Sequence, residues 1–225
     1  MQVHTPPEEF GSLSAHGLLF DMDGTLLNSV APMLRVWGRW ASRHGLELHS
    51  FLNRIQGQRA IESIGAMKLP GVDAALEAQW IEDEEVADVA GVIPVPGAIE
   101  FLATIPRAHW AIVTSAPRRL AQARLGAAGI PLPDVIVCGE DVTRGKPNPD
   151  PFLLGAQRLG LSARDCIVFE DAHSGIRAAE AAGANVVVIT ATHDEAHSQH
   201  HRRRRDYHGL HLDTGNGSPF TLRAR

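Results

Sequence analysis

The sequence predicts an α/β fold: a Rossmann-like parallel sheet with helices on both faces, and a small helical domain inserted after the first strand. Three observations carry this. The run Leu18-Leu19-Phe20 leads straight into Asp21-Met22-Asp23-Gly24-Thr25, an apolar strand of the kind buried on both faces and ending in carboxylates. After Gly97, helical segments alternate with short apolar runs. Between residues 30 and 91 only helical patterning occurs.

Taken in order, residues 1 to 14 read as a polar lead-in and the first strand covers about 16 to 21. From Ala31 the period changes. Met33, Val36, Trp37, Trp40 and Ala41 fall at i, i+3, i+4, i+7 and i+8, one face of a helix. Further helices are predicted at about 48 to 55, 58 to 67 and 73 to 90, with a break at Leu69-Pro70-Gly71. This inserted domain, residues 29–93, is left at Ile93-Pro94-Val95-Pro96.

A helix at 97 to 105 then precedes the strand Trp110-Ala111-Ile112-Val113-Thr114, and one at 117 to 128 precedes Val135-Ile136-Val137-Cys138. The helix opened by Asn148-Pro149-Asp150-Pro151, with Pro151 suited to a first turn, ends near Gly160. The strand Cys166-Ile167-Val168-Phe169 is followed by a helix at 174 to 182 closed by Gly183. Asn185-Val186-Val187-Val188-Ile189 is the last clear strand. The core thus comprises 16–28 and 94–192. Residues 193–225 form a C-terminal segment partly associated with it, whose His/Arg-rich stretch from His193 to Arg205 reads as a solvated loop.

Composition narrows the function classes. With 225 residues, 44% hydrophobic and 21% charged, the chain is an ordinary globular protein. A net charge of −5 argues against wholesale nucleic-acid binding, and no apolar run approaches the length of a membrane span. Cys138 and Cys166 lie in apolar runs without metal-ligand spacing, and the first residues carry no basic-then-apolar signal. A reducing, cytoplasmic setting is expected, with the protein a monomer or small homo-oligomer.

The chemistry lies at the strand ends, which a parallel sheet gathers at one rim. The first strand delivers Asp21 and Asp23, and the second Thr114-Ser115-Ala116. The third leads into Gly145-Lys146-Pro147, and the fourth delivers Glu170-Asp171. Asp21 and Asp23, two apart on an extended chain, lean to one side and repel unless a cation neutralises them. An all-oxygen site of this kind suits Mg²⁺. The spacing is not that of a calcium loop, which wants Asp or Asn and then Gly where Thr25 and Leu26 stand. Of 21 basic residues, only Lys68 and Lys146 are lysine, so Lys146 stands out as a point charge for a carboxylate and a phosphate oxygen. Together these groups suit phosphoryl transfer.

On these motifs the chain resembles the haloacid dehalogenase-like hydrolase superfamily, in the group with a small helical cap. The resemblance covers about residues 16 to 192: Asp21-Met22-Asp23-Gly24-Thr25, Ser115, Lys146 in Gly-Lys-Pro-Asn-Pro-Asp, and Glu170-Asp171 in Phe-Glu-Asp-Ala-His-Ser-Gly. It implies that Asp21 attacks phosphorus to form an aspartyl-phosphate while also ligating Mg²⁺. It implies that Asp23 is the general acid and base and lends its backbone carbonyl to the metal. Asp171 would be a further ligand, with Glu170 acting through bound water. Ser115, Ala116, Lys146 and Gly24 would hold the phosphoryl group.

Dehalogenases and phosphonate-cleaving members of this fold lack the aspartate two residues after the nucleophile. Lys68 therefore reads as a surface residue rather than a Schiff-base former.

Among cap-bearing members, the chain looks most like the bacterial sugar phosphatases and the glycerol-3-phosphate and 2-deoxyglucose-6-phosphate phosphatases. The cap loop Gln56-Gly57-Gln58-Arg59 sits where those caps face the substrate, with Gln56 in place of the usual histidine. Arg59 is the candidate for gripping the substrate. The His/Arg-rich stretch stands where the family usually has an apolar segment.

The activity expected from the resemblance is a Mg²⁺-dependent phosphatase of a small phosphorylated sugar or polyol. A β-phosphoglucomutase of the same fold, or a catalytically silent regulatory protein, are the alternatives.

Overall fold

A computed structural model of the chain describes residues 10–192, 201–214 and 219–224, without the side chains of Asn53 and Arg54. Its centre is a six-stranded, all-parallel sheet in the order β6-β5-β2-β7-β8-β9. The strands are β2 (Gly17–Phe20), β5 (Trp110–Val113), β6 (Val135–Val137), β7 (Cys166–Glu170), β8 (Asn185–Ile189) and β9 (Arg202–Arg204). Because strand side chains alternate, Leu18, Phe20, Trp110, Ile112, Ile167 and Phe169 join one core layer. Leu19, Ala111, Val113, Cys166 and Val168 join the other. Helices α5 (Ala98–Ala103) and α6 (Arg118–Ala127) cover the first layer, while α7 (Asp150–Arg158) and α8 (His173–Ala182) cover the second. Both cysteines are buried and unpaired.

The inserted helices are α1 (Val30–Arg43), α2 (Leu52–Ile55), α3 (Ala60–Met67) and α4 (Ala74–Ala87). They bury a hydrophobic cluster of their own, centred on Val36, Trp37, Trp40, Phe51, Ile64 and Ile81. Each fully buried aliphatic or aromatic side chain contributes roughly 1.5–3 kcal/mol, so this cluster is the insertion's own core. The chain enters through β3 (Leu27–Asn28) and returns through β4 (Ile93–Pro94), which pair antiparallel as a two-stranded ribbon.

The ends of the chain differ from the sequence expectation. Ser12–Ala15 is not lead-in but strand β1, its Leu13 and Ala15 buried and its serines exposed. It pairs with β11 (Phe220–Ala224), which pairs in turn with β10 (Leu210–Asp213), giving a second, antiparallel sheet. Asn185–Ile189 is therefore not the last strand. Residues 202–204 of the basic run are also not a loop: they extend the main sheet as its edge strand, where Arg202 and Arg203 stay exposed. Arginines in series show no apolar alternation, and an edge strand needs none on its solvent side. His193, His197 and His200 lie outside the described residues.

Candidate active site

The three central strands put the chemistry side by side. Phe20 pairs with Ile112 on one side and Phe169 on the other, so Asp21, Thr114-Ser115 and Glu170-Asp171 emerge together at the carboxyl rim. Lys146 arrives from the loop between β6 and α7. Its ammonium is wholly buried and donates to Asp21 Oδ1 at 2.6 Å, Glu170 Oε1 at 2.7 Å and the Val113 carbonyl at 3.1 Å. The other Glu170 oxygen, Oε2, accepts the backbone N–H groups of Asp171 (2.7 Å) and Ala172 (2.8 Å). Asp171 accepts from Thr25 at 3.2 Å and Thr192 at 3.4 Å.

Electrostatics follow from the burial. Removal from water pushes the Asp21 carboxyl up to about 7 despite the ammonium beside it. Glu170 is raised for the same reason. Burial pulls the Lys146 ammonium down, but Asp21 and Glu170 outweigh it and hold its pKa above the usual lysine range.

Oxygens of Asp21, Glu170 and Asp171 all lie within 4.8 Å of one another. Their all-oxygen chemistry fits a hard divalent cation. Gly24, at φ +88°, closes over this group: a Cβ there would stand 1.9 Å from Asp171 Oδ2. The loop therefore approaches the carboxylate as only glycine allows.

Asp21, Asp23, Gly24, Ser115, Ala116 and Asp171 line one cavity of about 120 Å³, closed from the insertion side by Gln56, Gly57 and Gln58. Ser115 Oγ donates to the Gly57 carbonyl at 2.9 Å, and Ser174 Oγ to that of Gln56 at 3.3 Å. Arg59 turns elsewhere. Its guanidinium binds the carbonyls of Gly139 (3.2 Å), Val142 (3.1 Å) and Thr143 (2.9 Å) and pairs with Glu62. It lines a separate, wider hollow of about 590 Å³ between insertion and core. Lys68 is exposed at the left-handed end of α3.

Two residues that sequence reasoning missed also line the first cavity: Arg124 of α6 and Glu85 of α4. Arg124 donates to Asp23 Oδ1 at 3.0 Å and pairs with Glu85 at 3.0 Å. A signal for them existed. Arg124 lies on the same helical face as Leu120 and Ala121, and Glu85 stands four residues after Ile81; all five are buried. Charged residues rarely lie fully buried on an apolar face unless they are paired.

A family model for haloacid dehalogenase-like hydrolases matches residues 16–183. The chain belongs to this family. Hexitol phosphatase A of Escherichia coli is 42% identical over 182 residues, spanning 79% of this chain and 84% of that protein. The validoxylamine A 7'-phosphate phosphatase of Streptomyces hygroscopicus is 35% identical, spanning 78% and 86%. The crystal structure of CbbY from Rhodobacter sphaeroides in complex with phosphate superposes with a TM-score of 0.74 at 23% identity. It covers 86% of this chain and 95% of that one. The chain is thus a hydrolase of the haloacid dehalogenase-like family, and the two relatives just named are phosphatases. No helix among the described residues is long and apolar enough to cross a membrane.

Proposed function

We propose that this hydrolase is a Mg²⁺-dependent phosphatase of small phosphorylated sugars or polyols, working through an aspartyl-phosphate on Asp21. The observation that carries the reading is the buried Lys146 bridge between Asp21 and Glu170, lying behind the cavity that Asp21, Asp23 and Asp171 line. Relatives named as a hexitol phosphatase and a fructose-1-phosphate phosphatase support the substrate class.

Asp21, the Asp23 carbonyl and Asp171 would hold the ion, with Glu170 behind them. Bound there, Mg²⁺ supplies positive charge that screens the phosphoryl oxygens from the nucleophile. The chain's own residues do the rest. Lys146 orients Asp21 and, as a cation, stabilises charge on the transferred group. A carboxylate oxygen of Asp21 forms a bond to phosphorus as the ester O–P bond breaks, and Asp23 gives its proton to the departing alcohol. Asp23 then takes a proton from water as that water attacks phosphorus, releasing phosphate and regenerating both carboxyl groups. Ser115, Ala116 and Gly24 frame the phosphoryl end, and Gln56, Gly57 and Gln58 meet the alcohol end.

The test is phosphate release from a panel of hexose, hexitol and glycerol phosphates, with Mg²⁺ and then with EDTA. Release concentrated on a few of these and abolished by EDTA is expected. Asp21→Asn should lower it by about 10⁴-fold or more, and unchanged activity in that variant would sink the mechanism. Conversion of β-glucose 1-phosphate into glucose 6-phosphate, with no phosphate released from any ester, would make the enzyme a mutase instead.

A further inference from the structure

Asp23 is gripped on one side only. Ser29 Oγ donates to its Oδ1 at 2.5 Å and Arg124 Nη1 to the same oxygen at 3.0 Å. No described residue donates a hydrogen bond to Oδ2, and the side chain keeps 27% exposure beside the cavity. The two donors come from different bodies. Ser29 stands at the start of α1, where the insertion begins, and Arg124 stands on core helix α6.

Arg124 is held in its turn by Glu85, near the end of α4, the last helix of the insertion. The side chains of Arg124 and Glu85 are each only 7% exposed. A buried guanidinium between two carboxylates is fixed in direction, because its planar fork must serve both at once. Removing either carboxylate would leave a buried cation half-paired.

We propose that Arg124 is a positioning residue, anchored by Glu85 of the insertion, that turns Asp23 so that Oδ2 delivers its proton to the departing alcohol. The proton donor is then aligned only while α4 is seated against α6. The proposal rests on the phosphatase reading, with Asp23 as the acid.

The test compares two esters of one shape that differ in their need for a proton. p-Nitrophenolate leaves as a stable anion near neutral pH, whereas phenolate, with a tyrosine-like pKa of about 10, needs protonation. The quantity read is kcat/KM, which reports the steps up to departure of the alcohol. In Arg124→Met, kcat/KM for phenyl phosphate and the best sugar phosphate should fall about 100-fold, and that for p-nitrophenyl phosphate by less than about fivefold. Glu85→Gln keeps shape and hydrogen bonding but loses the anchoring charge. It should show the same split, about tenfold against less than about twofold, and it carries the test if Arg124→Met does not fold. Arg124→Lys should restore part of the phenyl phosphate activity.

Equal loss on both aryl esters would overturn the proposal, since a structural or purely phosphate-binding role spares neither. So would no loss on either. Failure of the underlying reading looks different: the unmutated enzyme would then release no phosphate from any of these esters in an Asp21-dependent way.

Discussion

The core and the inserted helices present charge to the cavity in opposite ways. In the core, Lys146, Asp21 and Glu170 form a closed set. Each is buried, and each finds its partner within 2.7 Å across neighbouring strand ends or the loop beside them. The insertion has a hydrophobic core of its own around Trp37, Trp40 and Phe51. It touches the catalytic half through Val86 and Val89, which pack against the main core, and through polar ties: two serine hydroxyls on the Gln56 and Gly57 carbonyls, Arg59 on the carbonyls of 139 to 143, and Glu85 on Arg124. Polar ties of this sort are typical of interfaces between domains that move, but the buried Arg124–Glu85 pair is the one that would be costly to part. The proposed chemistry is built on one side, and the proposed alignment of Asp23 depends on the other.

The largest expected effect breaks the rigid side. Lys146→Met removes the ammonium but leaves Asp21 and Glu170 buried and facing one another. Breaking a buried ion pair from one end costs about 3–5 kcal/mol. In a chain of this size each kcal/mol lowers the melting temperature by about 2–4 °C, so calorimetry should show a drop of roughly 6–20 °C. Activity on the best sugar phosphate should fall by about 10³-fold, as for loss of a preorganised charge donor. A melting temperature within about 2 °C of the parent's would mean that the two carboxyl groups do not depend on Lys146.

The next prediction sharpens the electrostatics. Burial raises the metal-free Asp21 carboxyl from 3.8 to about 7. Between those values the folded state binds more protons than the unfolded one. The stability this group contributes is therefore full below 3.8 and is lost as pH rises towards 7. In the proposed function, Mg²⁺ binding at Asp21 would displace that proton. Its apparent affinity, read from the rise in melting temperature on titration, should weaken about tenfold for each pH unit below 7 and level off above it. An equal Mg²⁺-induced rise at pH 5 and pH 8 would contradict the raised carboxyl.

The same division explains what could be read from the sequence. Asp21, Ser115, Lys146 and Glu170-Asp171 were legible because each follows an apolar strand, and a parallel sheet has only one rim at which such ends can meet. The helical insertion was legible from the spacing of Val36, Trp37 and Trp40. Arg124 and Glu85 left only the weaker signal of a charge on an apolar helical face, because their partners lie in separate bodies and one more arginine draws no notice among so many. The terminal strands escaped for another reason. Ser12–Ala15 and Arg202–Arg204 are only four and three residues long, too short for alternation to declare itself, and pairing with distant chain decides their form.

The smallest expected effect concerns Arg59, the residue for which sequence and geometry point in different directions. Its place in the cap loop predicts a grip on the substrate, yet its guanidinium is spent on three core carbonyls and Glu62. A tie between insertion and core acts on every substrate alike, because it changes how the insertion seats and not what the alcohol touches. Arg59→Ala should therefore lower kcat/KM by the same few-fold for a hexitol phosphate and for p-nitrophenyl phosphate, and lower folding stability by about 1.5–3 kcal/mol through the lost charge-assisted hydrogen bonds. A loss confined to the hexitol ester, with p-nitrophenyl phosphate untouched, would return Arg59 to the substrate. The contact seen on the 139 to 143 loop would then be a resting position that the side chain leaves when the polyol enters.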